Sequence, residues 1–290
     1  MIQRIRSNVW FKMRINSVFR YPFRMIRNVF YQFLFFLRRF LANYQLSFIA
    51  NDNKYYRLKN KYKGLECFIV GNGPSLTVED LNWLKKKNIT SFGVNKIHLI
   101  YPQTNWRPDF YVCEDIPVLE TILDTVNDQK DLIKFLMEVP GINKDEKTIF
   151  INRIATEFTG MDFFLEPVPY LFCGQTVIYI CLQLAVFMGF KKIYLLGIDF
   201  SWNFDDAEPD KEGFSVLKGD SPHFVPDYFK KGEKQYLVTK PHFEYMIRIL
   251  HYAKEILEKM GIQVFNATRG GKLEVFPRVN IDELKTKGNL

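Results

Sequence analysis

The first fifty residues contain no Asp or Glu, although they carry nine basic side chains: Arg4, Arg6, Lys12, Arg14, Arg20, Arg24, Arg27, Arg38 and Arg39. The whole chain has 40 Lys and Arg, so 31 remain in the other 240 residues against 32 Asp and Glu. The net charge of +8 therefore belongs to the N-terminal segment, and the body is close to neutral. That argues against a nucleic-acid-binding body, and no RNA-binding module follows the basic stretch. Cysteine is scarce: Cys67, Cys113, Cys173 and Cys181 lie far apart with no Cys-x-x-Cys pair. This excludes a disulfide framework and a zinc knuckle, and it suits buried thiols in a reducing compartment. Long apolar runs are also missing. The longest charge-free N-terminal run, Asn28 to Leu37, falls well short of the roughly 20 residues that span a bilayer. It lies too deep, and lacks the small-residue cleavage site, of a secretory signal.

What the N-terminal segment does have is aromatics set among arginines, as in Phe19-Arg20-Tyr21, Phe23-Arg24 and Arg38-Arg39-Phe40. Residues 1–60 read as a basic amphipathic arm lying in an anionic membrane interface. Each basic residue near such a surface adds about 1 kcal/mol. A helical arm packed on the body or on another copy is the alternative, with RNA binding third, and self-association is left open.

The body, residues 61–275, is organised around Cys67-Phe68-Ile69-Val70-Gly71-Asn72-Gly73-Pro74-Ser75-Leu76. An apolar strand runs into a loop of glycines and small polar residues. Thr77 then caps a helix to about Lys87, with Asp80 three residues on. Strand, Gly-rich turn and helix N-terminus together suit an anion. The spacing is neither Gly-x-Gly-x-x-Gly nor a Walker loop, and a plain strand-to-helix turn that binds nothing is the bland alternative. Further strands are expected at Thr90–Val94, Phe110–Cys113, Thr148–Asn152, Lys192–Leu196 and Gln263–Asn266. Helices are expected at about Val118–Met137, from Gly174-Gln175-Thr176 to a Gly189 cap, and at Pro241–Met260. Residues 201–238 read as a long lid loop and 276–290 as a C-terminal tail.

Strands alternating with helices predict an α/β fold with a mostly parallel, doubly wound, Rossmann-like sheet. Ligands bind such sheets beyond the carboxyl ends of the strands. The residues delivered there are Gly71, Asn72, Gly73, Pro74 and Ser75, then Asn95-Lys96, then Glu114 and Asp115, then Gly197-Ile198-Asp199. Together they predict a nucleotide crevice. Of four histidines, His98 sits in an apolar run and reads as packed. His242 and His251 sit on a helix, with a capping or solvated role. His223 alone lies in the irregular segment beside the crevice. The pair Asp205-Asp206 reads as solvated loop rather than a metal site.

At this point Gly71-Asn72-Gly73-Pro74-Ser75-Leu76, Asn95 and Tyr194-Leu195-Leu196-Gly197-Ile198-Asp199-Phe200 resemble the bacterial sialyltransferases that cap lipooligosaccharide. They also resemble the wider MptE-like and motility-associated-factor glycosyltransferases, over about residues 65 to 265. Trp106 to Asp115 is closer to the MptE-like branch. The resemblance implies a GT-A-variant transferase that binds a CMP-sugar without a cofactor or divalent metal. It implies nucleotide contacts from Asn72 and Asn95, and donor contacts from Gly174, Gln175 and Thr176. His223, in Asp220-Ser221-Pro222-His223-Phe224, is the implied general base. Where that family places phosphate-steadying tyrosines this chain has Ser201-Trp202, so Tyr228 and Lys230 or Lys231 are the candidate replacements. The expected activity is transfer of a sugar, such as a nonulosonic acid, to a surface glycan or lipid-linked acceptor in lipopolysaccharide or capsule assembly. The expected location is the inner face of the cytoplasmic membrane. A pterin pyrophosphokinase and a non-catalytic nucleotide-binding scaffold are the rival readings.

Overall fold

The structure, a computed structural model, describes residues 29–154, 161–201, 207–209, 214–217, 223–225, 228, 235–236 and 238–287. The chain divides into two units, Met1–Asn53 and Lys54–Leu290. In the first, helix α1 covers residues 29–43 and is followed by α2, Ala50–Tyr56, which begins in this unit. Rings four residues apart meet along α1 and just past its end, Tyr31 with Phe35 on one side, and Phe36 with Phe40 and Phe40 with Tyr44 on another. Much of this aromatic surface faces outward, with Phe36 67% and Phe48 97% exposed. Arg38 grips the buried Asp52 with two nitrogens, so the first acidic residue of the chain is held by an arm arginine. No helix of the described residues is long and apolar enough to cross a membrane.

The second unit runs β1 (Glu66–Val70), α3 (Val78–Lys86), β2 (Ser91–Val94), a 3₁₀ segment (Asn95–Gln103), β3 (Phe110–Cys113), α4 (Ile116–Thr121), α5 (Leu123–Asp128), β4 (Ile133–Leu136) and β5 (Thr148–Phe150). It continues with β6 (Arg153–Ile154), β7 (Leu171–Phe172), α6 (Val177–Met188), β8 (Lys192–Leu196), β9 (Ala207–Pro209), β10 (Phe214–Leu217), β11 (Gln235–Tyr236), α7 (Lys240–Lys259), β12 (Gln263–Asn266) and α8 (Ile281–Lys287). Seven strands pair in the order β12-β8-β1-β2-β3-β4-β5, all parallel. This is the Rossmann-like α/β sheet that the alternation predicts. The central strands are buried on both faces, which is why they read as unbroken apolar runs.

Phenylalanine and tyrosine build this core across the strands. Phe68, Tyr194 and Phe265 are register partners on β1, β8 and β12, and their rings stack at 4.8 and 5.5 Å. Phe92 and Phe110, register partners on β2 and β3, meet tilted by 33° at 4.8 Å. Helix α6 is buried along nearly its whole length. Thr176 caps its start and Gly189 ends it at φ +95°, the left-handed turn that glycine adopts freely.

Two expectations are corrected. The helix expected over Val118–Met137 is two short helices followed by β4. Ile122 leaves helical geometry between α4 and α5, and Lys134 is buried in β4 where it pairs with Asp145 at 3.0 Å. The segment read as a long lid loop over 201–238 contains a small antiparallel sheet, β9-β10-β11.

The chain lays down β1 through β5 in one direction. Helix α6 then returns it to the opposite flank of β1, where β8 and finally β12 add on. The order thus reverses between β1 and β8, and it is beyond the carboxyl ends of strands at such a reversal that sheets of this kind bind ligands.

Candidate active site

The loops after β1 and β8 are joined into one structure at this reversal. Gly71 N–H donates to the Leu196 carbonyl and Gly73 N–H to the Gly197 carbonyl, each at 2.8 Å. Ser75 Oγ donates to Asp199 Oδ2 at 2.8 Å. There is no room for a side chain at either loop glycine. A Cβ on Gly71 would stand 2.5 Å from the Gly197 carbonyl oxygen, and one on Gly73 would stand 1.8 Å from Asp199 Oδ2. The loop after β12 closes the back of this joint, with Thr268 Oγ1 accepting from Ile198 N–H at 3.1 Å and Lys272 N–H donating to the Asp199 carbonyl at 2.6 Å. Burial pushes the Asp199 carboxyl above its ordinary range, and the Ser75 hydrogen bonds pull it partly back. Pro74, at the tip of the first loop, is exposed.

Asn72 points into the protein and is only 8% exposed. Its Nδ2 donates to the Val94 carbonyl and meets the Tyr228 hydroxyl, both at 2.9 Å. The Val94 carbonyl can only accept, which fixes which end of the amide faces it. Asn72 Oδ1 is buried with no hydrogen-bond partner. Asn95 opens the 3₁₀ segment after β2 in the left-handed region, at φ +48°. Its carbonyl accepts from the Tyr111 hydroxyl at 2.5 Å, while its own Oδ1 is also buried and unpartnered.

His223 reaches the same place. The Phe224 N–H donates to the Asn72 carbonyl at 3.0 Å, and the His223 ring lies flat on the Tyr228 ring at 3.8 Å and 5°. Burial, reinforced by the Lys96 charge, lowers the His223 pKa to about 4, so its imidazole is neutral at pH 7. Lys96 is a residue that sequence reasoning placed on the rim without giving it a role. Its backbone N–H meets the Tyr228 hydroxyl at 3.3 Å and its Nζ donates to the Tyr228 carbonyl at 3.1 Å.

A second cluster stands at the end of β3. Glu114 Oε2 accepts from Arg153 Nη1 at 2.9 Å and from Cys173 Sγ at 3.1 Å. Burial raises both Glu114 and Cys173, the thiol to about 12, so Cys173 is a hydrogen-bond donor and not a nucleophile. Arg153 is a further site residue that the sequence did not single out, because nothing local marks its pairing with a glutamate 39 positions earlier. Asp115 is turned to structure, capping α4 through Val118 N–H at 3.1 Å. Gly174 and the exposed Gln175 both have positive φ, and they turn the chain so that Thr176 can start α6 at this rim.

The other histidines behave as their sequence settings suggest. His98 is half-buried with an unpartnered Nδ1 and a pKa lowered to about 4 by burial and then by Lys96. His242 takes part in the cap of α7, and His251 is exposed. Trp202, Asp205, Asp206, Asp220, Ser221, Pro222, Lys230 and Lys231 lie outside the described residues. Among the described residues no group of three or more His, Cys, Asp or Glu side chains could hold a metal ion.

A solved structure, that of the MAf glycosyltransferase from Magnetospirillum magneticum AMB-1, aligns with 15% identity and a TM-score of 0.46, covering 77% of this chain and 35% of that one. The present chain thus spans about a third of that protein's length. Comparison with curated proteins gives no match. Residues 38–205, more than half of the chain and including the β1 and β8 loops with Asn72, Asn95, Gly197 and Asp199, match the family described as 6-hydroxymethylpterin diphosphokinase MptE-like, and the chain belongs to that MptE-like family.

Proposed function

We propose that this chain is a nucleotide-sugar-dependent glycosyltransferase, taking a CMP-sugar donor and delivering the sugar to a hydroxyl of a glycan or lipid-linked acceptor. The observation that carries the reading is the pair of buried amide oxygens, Asn72 Oδ1 and Asn95 Oδ1, left without partners at the strand-order reversal. An unsatisfied buried acceptor costs about 1–3 kcal/mol, and such a group in a folded protein calls for a ligand or a water. The amine of a base or the hydroxyls of a ribose supply the donors that both lack. The motif resemblance to CMP-sugar transferases selects among nucleotides.

In this reading the acceptor hydroxyl attacks the anomeric carbon as its bond to the phosphate oxygen breaks. The configuration inverts, and CMP leaves with the bonding electron pair. His223, neutral at pH 7 and tethered to the Asn72 loop through Phe224, takes the acceptor's proton. A placed general base contributes about 10²–10⁴ in rate. The electron pair is carried away by a phosphate that is already a good leaving group, so the reading needs no divalent metal. The exposed aromatics of α1 and the nine basic residues among the first fifty support seating on an anionic bilayer. That would set the enzyme beside a lipid-linked acceptor at the inner face of the cytoplasmic membrane.

The test is a thermal-shift panel of CMP, CDP, UDP, GDP and ATP, with and without magnesium. A ligand at 100 times its Kd stabilises the native state by about 2.7 kcal/mol, roughly 5–10 °C for a domain of this size. A magnesium-independent shift with CMP supports the transferase. A shift with ATP and magnesium alone replaces it with the pyrophosphokinase of the family's description, and no shift at all leaves a scaffold.

A further inference from the structure

The segment that brings His223 to the strand ends is fastened there through Tyr228, which is 3% exposed. The Tyr228 hydroxyl accepts from Asn72 Nδ2 at 2.9 Å and from the Lys96 N–H at 3.3 Å. Its carbonyl accepts from Lys96 Nζ at 3.1 Å, and its N–H closes a turn on the Val225 carbonyl at 3.3 Å. Asn72 holds the segment a second time, since its own carbonyl accepts from the Phe224 N–H at 3.0 Å. The Phe224 ring packs on the core of the sheet and meets the Tyr228 ring at 80°. On this anchored ring the His223 imidazole lies parallel, 3.8 Å away and tilted by 5°. Contact over a whole face fixes the plane of the imidazole.

We propose that Tyr228 is the positioning residue of His223: its ring fixes the imidazole plane, and its hydroxyl fastens the segment carrying both to the ends of β1 and β2. The inference rests on the reading of His223 as general base given above. It gives Tyr228 a task other than steadying a phosphate, for which a phenol so covered has little open surface. A general base works from one geometry, and a displacement of about 1 Å can cost about 10² in rate. The same cover keeps water from one face of the imidazole, which disfavours its charged form. The described titratable groups that act on the pair are Lys96 after β2, Tyr111 and Cys113 on β3, and Asp115 after it. Lys96 also disfavours the imidazolium, while burial keeps Tyr228 itself a neutral phenol. Replacing Tyr228 therefore removes cover without removing a charge.

The experiment titrates the His223 ring by NMR in the wild-type chain, Tyr228→Ala and Tyr228→Phe. Tyr228→Ala should raise its pKa from about 4 by about one unit or more, toward the free value of about 6.5. Tyr228→Phe, which keeps the ring and the backbone anchors, should hold it near the wild-type value. An unmoved titration in Tyr228→Ala overturns the proposal. The second arm is turnover of CMP-sugars. Tyr228→Ala should lower kcat about 10²-fold, yet cost nothing further in a His223→Ala background, because it acts through that residue. A further loss of the same size there means that Tyr228 acts on its own, and it too overturns the proposal. If no CMP-sugar is turned over while the titrations behave as stated, the transferase reading falls and the assignment of Tyr228 to His223 stands. Should Tyr228→Ala fail to fold, the wild type decides. A His223 ring titrating at about 6.5 overturns the proposal, and one at about 4 with cross-relaxation to the Tyr228 ring upholds it.

Discussion

Replacing Gly73 by alanine tests the interlock of the β1 and β8 loops directly. The new Cβ would lie 1.8 Å from Asp199 Oδ2 and 2.8 Å from the Gly197 carbonyl oxygen. The carboxylate is the tip of a side chain and can swing aside, but only by breaking its 2.8 Å hydrogen bond from Ser75. A hydrogen bond to a charged group is worth about 1.5–3 kcal/mol. The Gly197 carbonyl is backbone and accepts from Gly73 itself at 2.8 Å, so it cannot retreat without losing that bond. Overpacking of this kind adds about 1–3 kcal/mol. The expected total is therefore about 3–6 kcal/mol, or a fall in Tm of roughly 5–20 °C. Circular dichroism during heating and urea titration reads both quantities. The double variant Gly73→Ala with Asp199→Ser removes the carboxylate, so its loss should be smaller than the sum of the single losses. A Gly73→Ala protein melting within 2 °C of wild type, on the scale of about 1 kcal/mol or less, would show that the loops are not locked as described.

Other perturbations have equally definite expected outcomes. His223→Ala should lose about 10²–10⁴ in kcat with an unchanged CD spectrum. In the wild type, kcat/KM should fall on the acid side around pH 4, where protonation would disable His223 in its proposed role as base. Asp80 is fully buried and takes Arg269 at 2.6 and 2.9 Å together with Lys285. Asp80→Asn should cost about 3 kcal/mol in urea titration, the low end for a buried pair because Asp282 still partners both cations. Burial pushes the Asp80 carboxyl up but its hydrogen bonds from Arg269, Lys285 and Thr77 outweigh this. The folded value lies below the unfolded one, so the Asp80 contribution is present above about pH 4 and fades as the pH drops through the folded value. For His98, with a folded pKa of about 4, the unfolded chain takes up the proton first. It adds nothing above pH 6.5 and destabilises the fold progressively between there and about pH 4, so His98→Gln should flatten that part of the stability curve. Phe33→Ser with Phe36→Ser should lower co-sedimentation with anionic vesicles several-fold, and unchanged binding would reassign the α1 face.

The sheet was legible wherever an apolar run met a glycine or a cap. β1, β3, β8, β12 and α6 lie where periodicity puts them, with Gly71, Gly189 and Gly197 marking their ends. β4 was not legible because Lys134 interrupts Leu132 to Met137 and imitates the polar face of a helix. Its partner Asp145, 11 positions on, is supplied by the tertiary fold. That Asn72, Asn95 and Asp199 would stand together at the strand ends was legible, because each follows a predicted parallel strand. The contact of Lys96 with Tyr228 was not, since its partner lies 132 positions away. Nor could local pattern tell that Asp115 would serve α4 while Glu114 alone turned to Arg153 and Cys173.

The placement of β1 also bears on how the chain is made. One edge of β1 pairs with β2, about 25 residues later, but the other waits for β8, whose Lys192 is the register partner of Glu66. Those partners are 126 residues apart, a delay of roughly 6–25 s at ordinary rates of synthesis. Throughout that interval the nascent chain presents an open apolar edge, Cys67-Phe68-Ile69-Val70, of the kind that pairs with any other extended strand. The strand that ends in the candidate site is thus open to misassembly during synthesis, and soluble yield should respond to slowed synthesis or added chaperone.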